Sequence, residues 1–265
     1  MQKSRVREKM RRQEPILCTA IHFPNAGLAE FLGRFGFDCL WICTEHVATD
    51  QMLLEHMIRA CRLTGMDAMV RVVRGNHDDL IRPLECGAKG LMIPRLKTPE
   101  EVAKIVYDTR FHPLGQRGID GANPDADMGF VPIAEYTRFA NEHTFIVVQV
   151  EDHEAVECVE EIAAVEGIDV VFIGPADLSQ SYGVPGELKH PKILKAIERT
   201  VAACEKSGIY CGTPGLDVEY TKTLMEMGVK FITGPGDFGV LYRGFREVVD
   251  VYSELGFTFA AGAGG

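Results

Sequence analysis

The feature that most constrains the fold of this chain is a regular alternation of short apolar runs with longer segments of helical period. Segments with helical period lie at 50–65, 98–110, 153–166 and 191–207, and several begin at Asp or Thr-Pro and end at Gly, as helix capping predicts. Such alternation is typical of βαβ units around a parallel sheet. The apolar runs, rich in Val, Ile and Phe, predict eight strands: 16–23, 39–46, 67–73, 90–95, 145–151, 170–174, 209–213 and 230–234.

Eight such units without a long linker fit a closed (β/α)8 TIM barrel better than an open α/β sheet. The chain has 265 residues, a length that barrels reach as one domain, so we predict a single domain over 1–265. A basic segment at 1–14 precedes the first strand, and 257–265 is expected to be a disordered tail.

Composition excludes several classes of function. The net charge is −10 and the basic residues are scattered beyond the first dozen positions, so nucleic acid is not an expected partner. No apolar run is long enough to span a membrane, and the basic start lacks the apolar stretch of a signal peptide, so we expect a cytoplasmic protein. The eight cysteines form no CxxC pair and are expected to be reduced packing residues.

Active sites of TIM barrels lie at the carboxyl ends of the strands, so the polar residues that end the apolar runs are the candidates for chemistry. The sequence supplies few of them: Glu45, His46, Arg71, Arg74, Gln149, Glu151, Asp177 and Asp237.

Two carboxylates among these, Glu151 and Asp177, follow successive strands and would face each other across the barrel mouth. Their oxygens suit Mg²⁺ or Mn²⁺ with positions left open for water and substrate. The alternative is that each acid is solvated and caps the next helix. Spacing alone leaves both interpretations open.

Arg71 and His46 each admit two interpretations as well. Arg71 lies inside an apolar strand, where an unpaired charge is costly, so it either points into the barrel mouth or forms a structural ion pair. His46 follows Glu45 at a strand end and is either a general base or only a hydrogen-bonding residue.

Taken together, four segments resemble the HpcH/HpaI aldolase family of class II, metal-dependent pyruvate aldolases, which includes the 2-keto-3-deoxy sugar-acid and 2,4-dihydroxyhept-2-enedioate aldolases. The resemblance extends from about residue 15 to 255 and implies a barrel of the phosphoenolpyruvate/pyruvate superfamily. Its most specific part is Q-x-E followed by G-I-D-x-x-F-I-G-P-x-D-L. The segments are 36–46, 70–96, 110–118 and 147–183.

The resemblance implies a role for each matching residue. Glu151 and Asp177 would bind a divalent cation, Mg²⁺, Mn²⁺ or Co²⁺, which the keto acid chelates. Arg71 would donate to the keto oxygen, and His46 would act as a base through bound water on the aldol hydroxyl, with Glu85 as its carboxylate partner. The substrate carboxylate would be held by Gln149 and by the main chain at Gly174, Pro175 and Ala176.

The sequence departs from the family at two places. Cys43 stands where the family usually has an acid three residues before the histidine. The long connection 115–132 contains Asp120, Asp125 and Asp127 and no base after Arg117, whereas homologues that take acidic aldehydes tend to carry Arg there. If this loop closes over the barrel mouth, it should disfavour an acidic aldehyde such as succinic semialdehyde.

These observations predict an enzyme that reversibly cleaves a 4-hydroxy-2-oxo acid to pyruvate, or a close analogue, and an aldehyde. One alternative is another carbon–carbon lyase or condensing enzyme acting on a citrate-like or acyl-CoA substrate. A second is a barrel that binds metal and oxo acid without catalysis. The resemblance further implies a homohexamer that exchanges its C-terminal helix, and the apolar segment 241–255 suits such packing.

Overall fold

Eight parallel strands close into one barrel, with each strand paired to its neighbours in sequence and β8 paired to β1. The structure is a computed structural model that describes residues 1–73 and 77–260. The predicted (β/α)8 barrel is therefore confirmed, although most strands end a little earlier than predicted. The strands are β1 (Ile16–Ile21), β2 (Cys39–Cys43), β3 (Asp67–Arg71), β4 (Gly90–Ile93), β5 (Phe145–Val150), β6 (Val170–Ile173), β7 (Tyr210–Pro214) and β8 (Phe231–Thr233).

The helices surround the barrel, and their ends follow the predicted capping residues. Asp50 and Thr98 accept main-chain N–H groups at helix starts, and Gly65 and Gly208 end helices in the left-handed conformation. The helices are α1 (Arg5–Arg11), α2 (Ala26–Gly33), α3 (Gln51–Thr64), α4 (His77–Glu85), α5 (Pro99–Thr109), α6 (Ile133–His143), α7 (His153–Glu157), α8 (Val159–Ala163), α9 (Pro175–Ser181), α10 (Pro191–Ser207), α11 (Val218–Glu226) and α12 (Asp237–Glu254).

The predicted helix 153–166 is wrong as a single element, because it is divided between α7 and α8. The break lies at Cys158, whose φ of −117° and ψ of 26° are not helical. The Cys158 thiol donates to the carbonyl of Lys97 at 3.1 Å, a tertiary contact that the helical period of the sequence does not reveal.

The apolar core has two parts, separated by the sheet. One fills the space between the strands and the surrounding helices. The other fills the barrel interior with side chains from alternate strand positions, among them Met69, Phe145, Phe172 and Phe231. Because the interior is packed, a ligand can enter only at the ends of the barrel.

The basic N-terminal segment closes the end of the barrel where the strands begin. Val6 and Met10 of α1 join the interior cluster. The Ser4 hydroxyl donates to Asp67 Oδ2 at 2.6 Å, and the Val6 N–H donates to the same oxygen at 2.9 Å. Lys9 pairs with Asp38 at 2.8 Å. The segment is therefore a structural plug at the face opposite the predicted active site.

Asp67 gives this plug a pH-dependent contribution to stability. Burial raises the pKa of its carboxyl to about 6, against the opposing effect of its hydrogen bonds to Ser4 and Val6. Between about pH 4 and pH 6 the unfolded chain ionises at this residue while the folded chain stays protonated, so raising the pH favours unfolding. Above the pKa of Asp67 in the folded protein, the loss of stability reaches its full value and no longer changes with pH.

We therefore expect Asp67→Asn, which keeps an oxygen for the two donors, to gain stability relative to wild type as the pH rises from 4 to 6. The gain should be about 1–3 kcal/mol and level off above pH 7. Urea unfolding at each pH measures it. Asp78→Asn, at an exposed carboxylate of α4, is the control and should follow the wild-type curve. A pH-independent difference at Asp67 would contradict the expectation.

The condition that loop 115–132 closes over the mouth of its own barrel is not met. The loop connects α5 to α6, two helices that meet at the face where the strands begin. Asp125 is buried and pairs with Lys89, just before β4, at 3.0 Å and with Arg117 at 3.6 Å. Asp127 lies 3.4 Å from the N-terminal amino group of Met1. These acids stabilise the loop and do not face an aldehyde in the same chain.

The C-terminal helix α12 ends at Glu254, and residues 256–260 continue in an exposed stretch. The predicted disordered tail 257–265 falls partly on residues 261–265, which lie outside the described residues. Within 1–73 and 77–260, no helix combines the length and the apolar character needed to cross a membrane.

Candidate active site

The carboxyl ends of neighbouring strands bring the main sequence candidates to the open end of the barrel. Arg71 is the last residue of β3, and Glu151 directly follows β5. Asp177 lies in the first turn of α9, which starts two residues after β6. Glu45 and His46 follow β2. The common strand direction explains why residues so distant in sequence share one face.

Glu151 is the most buried acid of this group, with 4% of its surface exposed. Its Oε2 accepts the main-chain N–H of Arg95 at 3.1 Å, where Arg95 adopts a positive φ of 56°. On the other side, a Cβ added at Gly174 would lie 2.5 Å from Glu151 Oε1. A side chain at position 174 would therefore displace the Glu151 carboxylate, a constraint that the sequence interpretation of Gly174 as substrate-binding did not include.

The electrostatics of the site favour a cation. The pKa of Glu151 is raised to about 7, mainly by burial and also by the nearby Asp177 carboxylate, while the Arg71 guanidinium lowers it. The Asp177 carboxylate is partly exposed, and its Oδ1 lies 3.8 Å from Nη1 of Arg95. A positive charge between Glu151 and Asp177 would remove the repulsion between the two acids.

The residues present fit a divalent cation that shares its coordination with a ligand. The two carboxylates are hard oxygen donors of the type that Mg²⁺ and Mn²⁺ prefer. Among the residues that the structure describes, no group of three or more His, Cys, Asp or Glu side chains could hold a metal by itself. Gln149 is buried on β5 beside Glu151, and its Oε1 has no hydrogen-bond partner in the described chain. The described chain also forms no side-chain hydrogen bond with the donor Nε2 of Gln149, so this N–H group is available to a bound carboxylate.

The main chain at the start of α9 also offers donors. Pro175 occupies the first helical position, and no side chain caps this end of the helix. The N–H groups of Ala176 and Asp177 have no partner within the first helical turn. They lie next to the acid pair and suit a carboxylate.

Arg71 lies at the barrel mouth and is paired there. Its Nε lies 3.3 Å from Glu45 Oε2, and Nη2 lies 3.1 Å from the sulfur of Cys43. The guanidinium also stacks over Trp41, 4.9 Å from the ring centre. The side chain is only 13% exposed. These contacts hold one edge of the guanidinium.

His46 lies at the rim of the mouth with 65% of its side chain exposed. Its Nε2 is 3.5 Å from Glu45 Oε2, the same oxygen that contacts Arg71. Glu45 therefore links His46 to Arg71. The sequence interpretation noticed Glu45 but gave it no role of its own. The feature of the sequence that could have indicated this role is the position of Glu45 directly before the histidine at a strand end.

Three other candidates lie elsewhere or outside the described residues. Glu85 is the last residue of α4, at the face where the strands begin, and its carbonyl accepts the Asp125 N–H at 3.2 Å. No hydrogen bond or ion pair joins it to His46 within the described chain. Asp237 is buried and accepts the N–H groups of His22 and Phe23, which anchors the start of α12. Arg74 lies outside the described residues.

Several known proteins resemble this chain in sequence and fold. The model of the HpcH/HpaI aldolase/citrate lyase family matches residues 22–241. A hydroxypyruvate/pyruvate aldolase from Sagittula stellata is 34% identical over 79% of this chain and 82% of that protein. A 2-keto-3-deoxy-L-rhamnonate aldolase from Salmonella gallinarum is 34% identical over 77% of this chain and 76% of its own length.

A solved structure extends the likeness to the fold. The HpcH/HpaI aldolase from Desulfitobacterium hafniense superposes with a TM-score of 0.88 at 27% identity, covering 94% of this chain and 96% of that one. The predicted resemblance is thus confirmed over most of its extent. This chain belongs to the HpcH/HpaI aldolase/citrate lyase family.

Proposed function

We propose that this protein is a metal-dependent aldehyde-lyase that reversibly cleaves a 4-hydroxy-2-oxo acid to pyruvate, or a close 2-oxo acid, and an aldehyde. The observation that carries the proposal is the buried Glu151 beside Asp177 at the barrel mouth, within the electrostatic influence of Arg71. The names of its relatives, a hydroxypyruvate/pyruvate aldolase and a keto-deoxy sugar-acid aldolase, support this substrate class. A cytoplasmic location is part of the same proposal.

Glu151 and Asp177 would hold the cation, for which Mg²⁺, Mn²⁺ and Co²⁺ are the candidates. When bound, the cation supplies a Lewis acid that polarises the keto oxygen of the substrate. Because the pKa of Glu151 is about 7 without a cation, this residue must lose its proton before it can ligate.

Arg71, Gln149 and the start of α9 would orient the oxo acid. The guanidinium donates to the keto oxygen and stabilises the negative charge that develops there as the carbon–carbon bond breaks. The Gln149 amide and the N–H groups of Ala176 and Asp177 hold the substrate carboxylate. Fixing both ends aligns the breaking bond with the polarised carbonyl.

His46 would act at the other end of the substrate. It takes the proton of the C4 hydroxyl through a water molecule, the C3–C4 bond breaks, and the new carbonyl leaves as the aldehyde. The electron pair of the broken bond moves toward the keto group, and C3 is then protonated to give pyruvate. Glu45, 3.5 Å from Nε2, holds the imidazole in place.

This division of roles predicts the effect of His46→Ala. Aldol cleavage should fall by about 10²-fold or more, the usual contribution of a positioned base. Exchange of the pyruvate methyl protons with D₂O, followed by NMR with added Mn²⁺ or Mg²⁺, should fall less, because Arg71 and the cation site are intact. Equal loss of both activities would contradict the role of His46. A wild-type protein that binds pyruvate without exchange would instead indicate a non-catalytic binder.

We also propose that the protein is a homo-oligomer, a hexamer by resemblance, in which α12 packs on a neighbouring copy. Helix α12 exposes several large apolar side chains, including Phe238, Tyr242 and Phe245, which with Phe23 line a groove of about 320 Å³. Contiguous exposed apolar surface of this kind marks interfaces. Since Glu85 lies at the opposite end of its own barrel, any action on His46 requires a neighbouring copy.

Replacing Phe245 by Glu should therefore dissociate the assembly, because a charge in an apolar interface is desolvated without a partner. Light scattering coupled to size exclusion should show a shift from an oligomer to the mass of one chain. Leu63→Glu places the same charge on an exposed apolar residue of α3, outside α12, and should keep the wild-type mass. An unchanged oligomer in the Phe245 variant would contradict packing through α12.

A further inference from the structure

The sulfur of Cys43 contacts both residues to which the proposed reaction assigns proton and charge handling. Cys43 ends β2 and is 7% exposed. Its Sγ accepts from Nη2 of Arg71 at 3.1 Å and from Nε at 3.4 Å. It also accepts the main-chain N–H of His46 at 3.3 Å. One atom thus fixes the direction of a side chain and the path of the loop that carries the histidine.

The position of this sulfur is itself fixed by the sheet. Cys43 and Arg71 are register partners of β2 and β3. The Thr44 N–H donates to the Arg71 carbonyl at 2.9 Å, and the Thr49 hydroxyl donates to the Cys43 carbonyl at 3.4 Å. The main chain of both residues is therefore fixed, and the side chain at position 43 determines where the Arg71 guanidinium can lie.

The contacts also determine which part of Arg71 remains for a substrate. Cys43 and Glu45 contact Nε and Nη2, and the described residues form no hydrogen bond with Nη1. A carboxylate can engage a guanidinium through two parallel hydrogen bonds, whereas a single sulfur holds it from one side. Because Nε and Nη2 are held by these contacts, the orientation of Nη1 is fixed, and this nitrogen can donate to a substrate.

We propose that Cys43 is a positioning residue of the aldolase reaction: its sulfur aims the Arg71 guanidinium at the keto oxygen and fixes the main chain of His46. This inference rests on the proposed function, since it presumes that Arg71 donates to the keto oxygen. We expect the Cys43 sulfur to affect the reaction rate more than the stability of the fold. A donor group that is displaced by about 1 Å can lower a reaction rate by orders of magnitude.

The test compares Cys43→Ala with Cys43→Ser in pyruvate proton exchange and in aldol cleavage, with saturating Mn²⁺. Alanine removes the acceptor and should lower kcat for exchange about 10-fold or more, with a smaller change in KM for pyruvate, because the contact to the keto oxygen strengthens as charge develops. Serine restores an acceptor at nearly the same place and should recover most of that loss. Cys158→Ala, at a half-buried thiol outside the site, is the matched control and should exchange at the wild-type rate.

Wild-type kcat in the alanine variant would overturn the inference. So would alanine and serine variants that lose equal activity together with melting temperature, because that result would show a packing role for the sulfur. A wild-type protein without any exchange would refute the proposed function instead, so the two failures are distinguishable.

Discussion

Replacing Glu151 by Gln should lower turnover by about 10³-fold or more and remove tight binding of Mn²⁺, while leaving the barrel folded. The amide keeps the size of the side chain but removes the charge, and Lewis-acid stabilisation of a developing oxyanion is worth several kcal/mol. Isothermal titration with Mn²⁺ and the aldol assay measure the two losses. Asp177→Asn should lose activity in the same way.

Stability separates this expectation from simple misfolding. Burial raises the pKa of Glu151 to about 7, so above that pH its ionised form costs stability in the cation-free protein. The melting temperature of the Gln variant should therefore equal or exceed that of wild type at pH 8 without added metal. Full activity of wild type in chelator-treated buffer would refute the assignment of Glu151 and Asp177 as ligands.

Arg71→Lys should also be severe, with a loss of about 10²–10³-fold in kcat, the usual effect of removing one donor from a site that stabilises an oxyanion. A lysine ammonium is a point charge on a flexible stem. It does not reproduce the planar fork that Cys43 and Glu45 hold while Nη1 has no hydrogen bond to the described residues. Proton exchange should fall together with aldol cleavage, in contrast to His46→Ala.

The competing role for Arg71 is a purely structural ion pair with Glu45. In that case, Arg71→Lys would lower the melting temperature while turnover per folded molecule stayed near wild type. Arg199→Lys is the matched control, because Arg199 of α10 forms an ion pair with Glu160 of α8 on the outer surface of the barrel. It should leave kcat unchanged.

The position of loop 115–132 could not be inferred from the strand pattern of the sequence. Its acids suggested electrostatic selection against an acidic aldehyde, on the assumption that a long loop follows a strand. The loop instead follows α5, so it begins at the plugged face, where Lys89 and Arg117 neutralise Asp125. Loop length and composition are visible in the sequence, but the face on which the loop lies depends on the direction of the preceding helix.

The sequence by itself determined the eight strands, the capping residues and the position of Glu151 and Asp177 at the end of their strands. These follow from local rules, since hydrophobic period sets the element type and the parallel direction of all strands puts their following residues at one end. The specific spacing of 147–183 added the family, which the comparisons confirm.

Only the tertiary structure decided how distant residues meet. The close approach of Gly174 to Glu151, the sulfur of Cys43 against Arg71 and the separation of Glu85 from His46 within one chain depend on cross-strand register and on which barrel end each helix reaches. The burial that raises the pKa of Glu151 likewise arises only when the barrel closes around it. Such effects are non-local, because contact geometry and desolvation are properties of the packed chain and have no counterpart in the order of its residues.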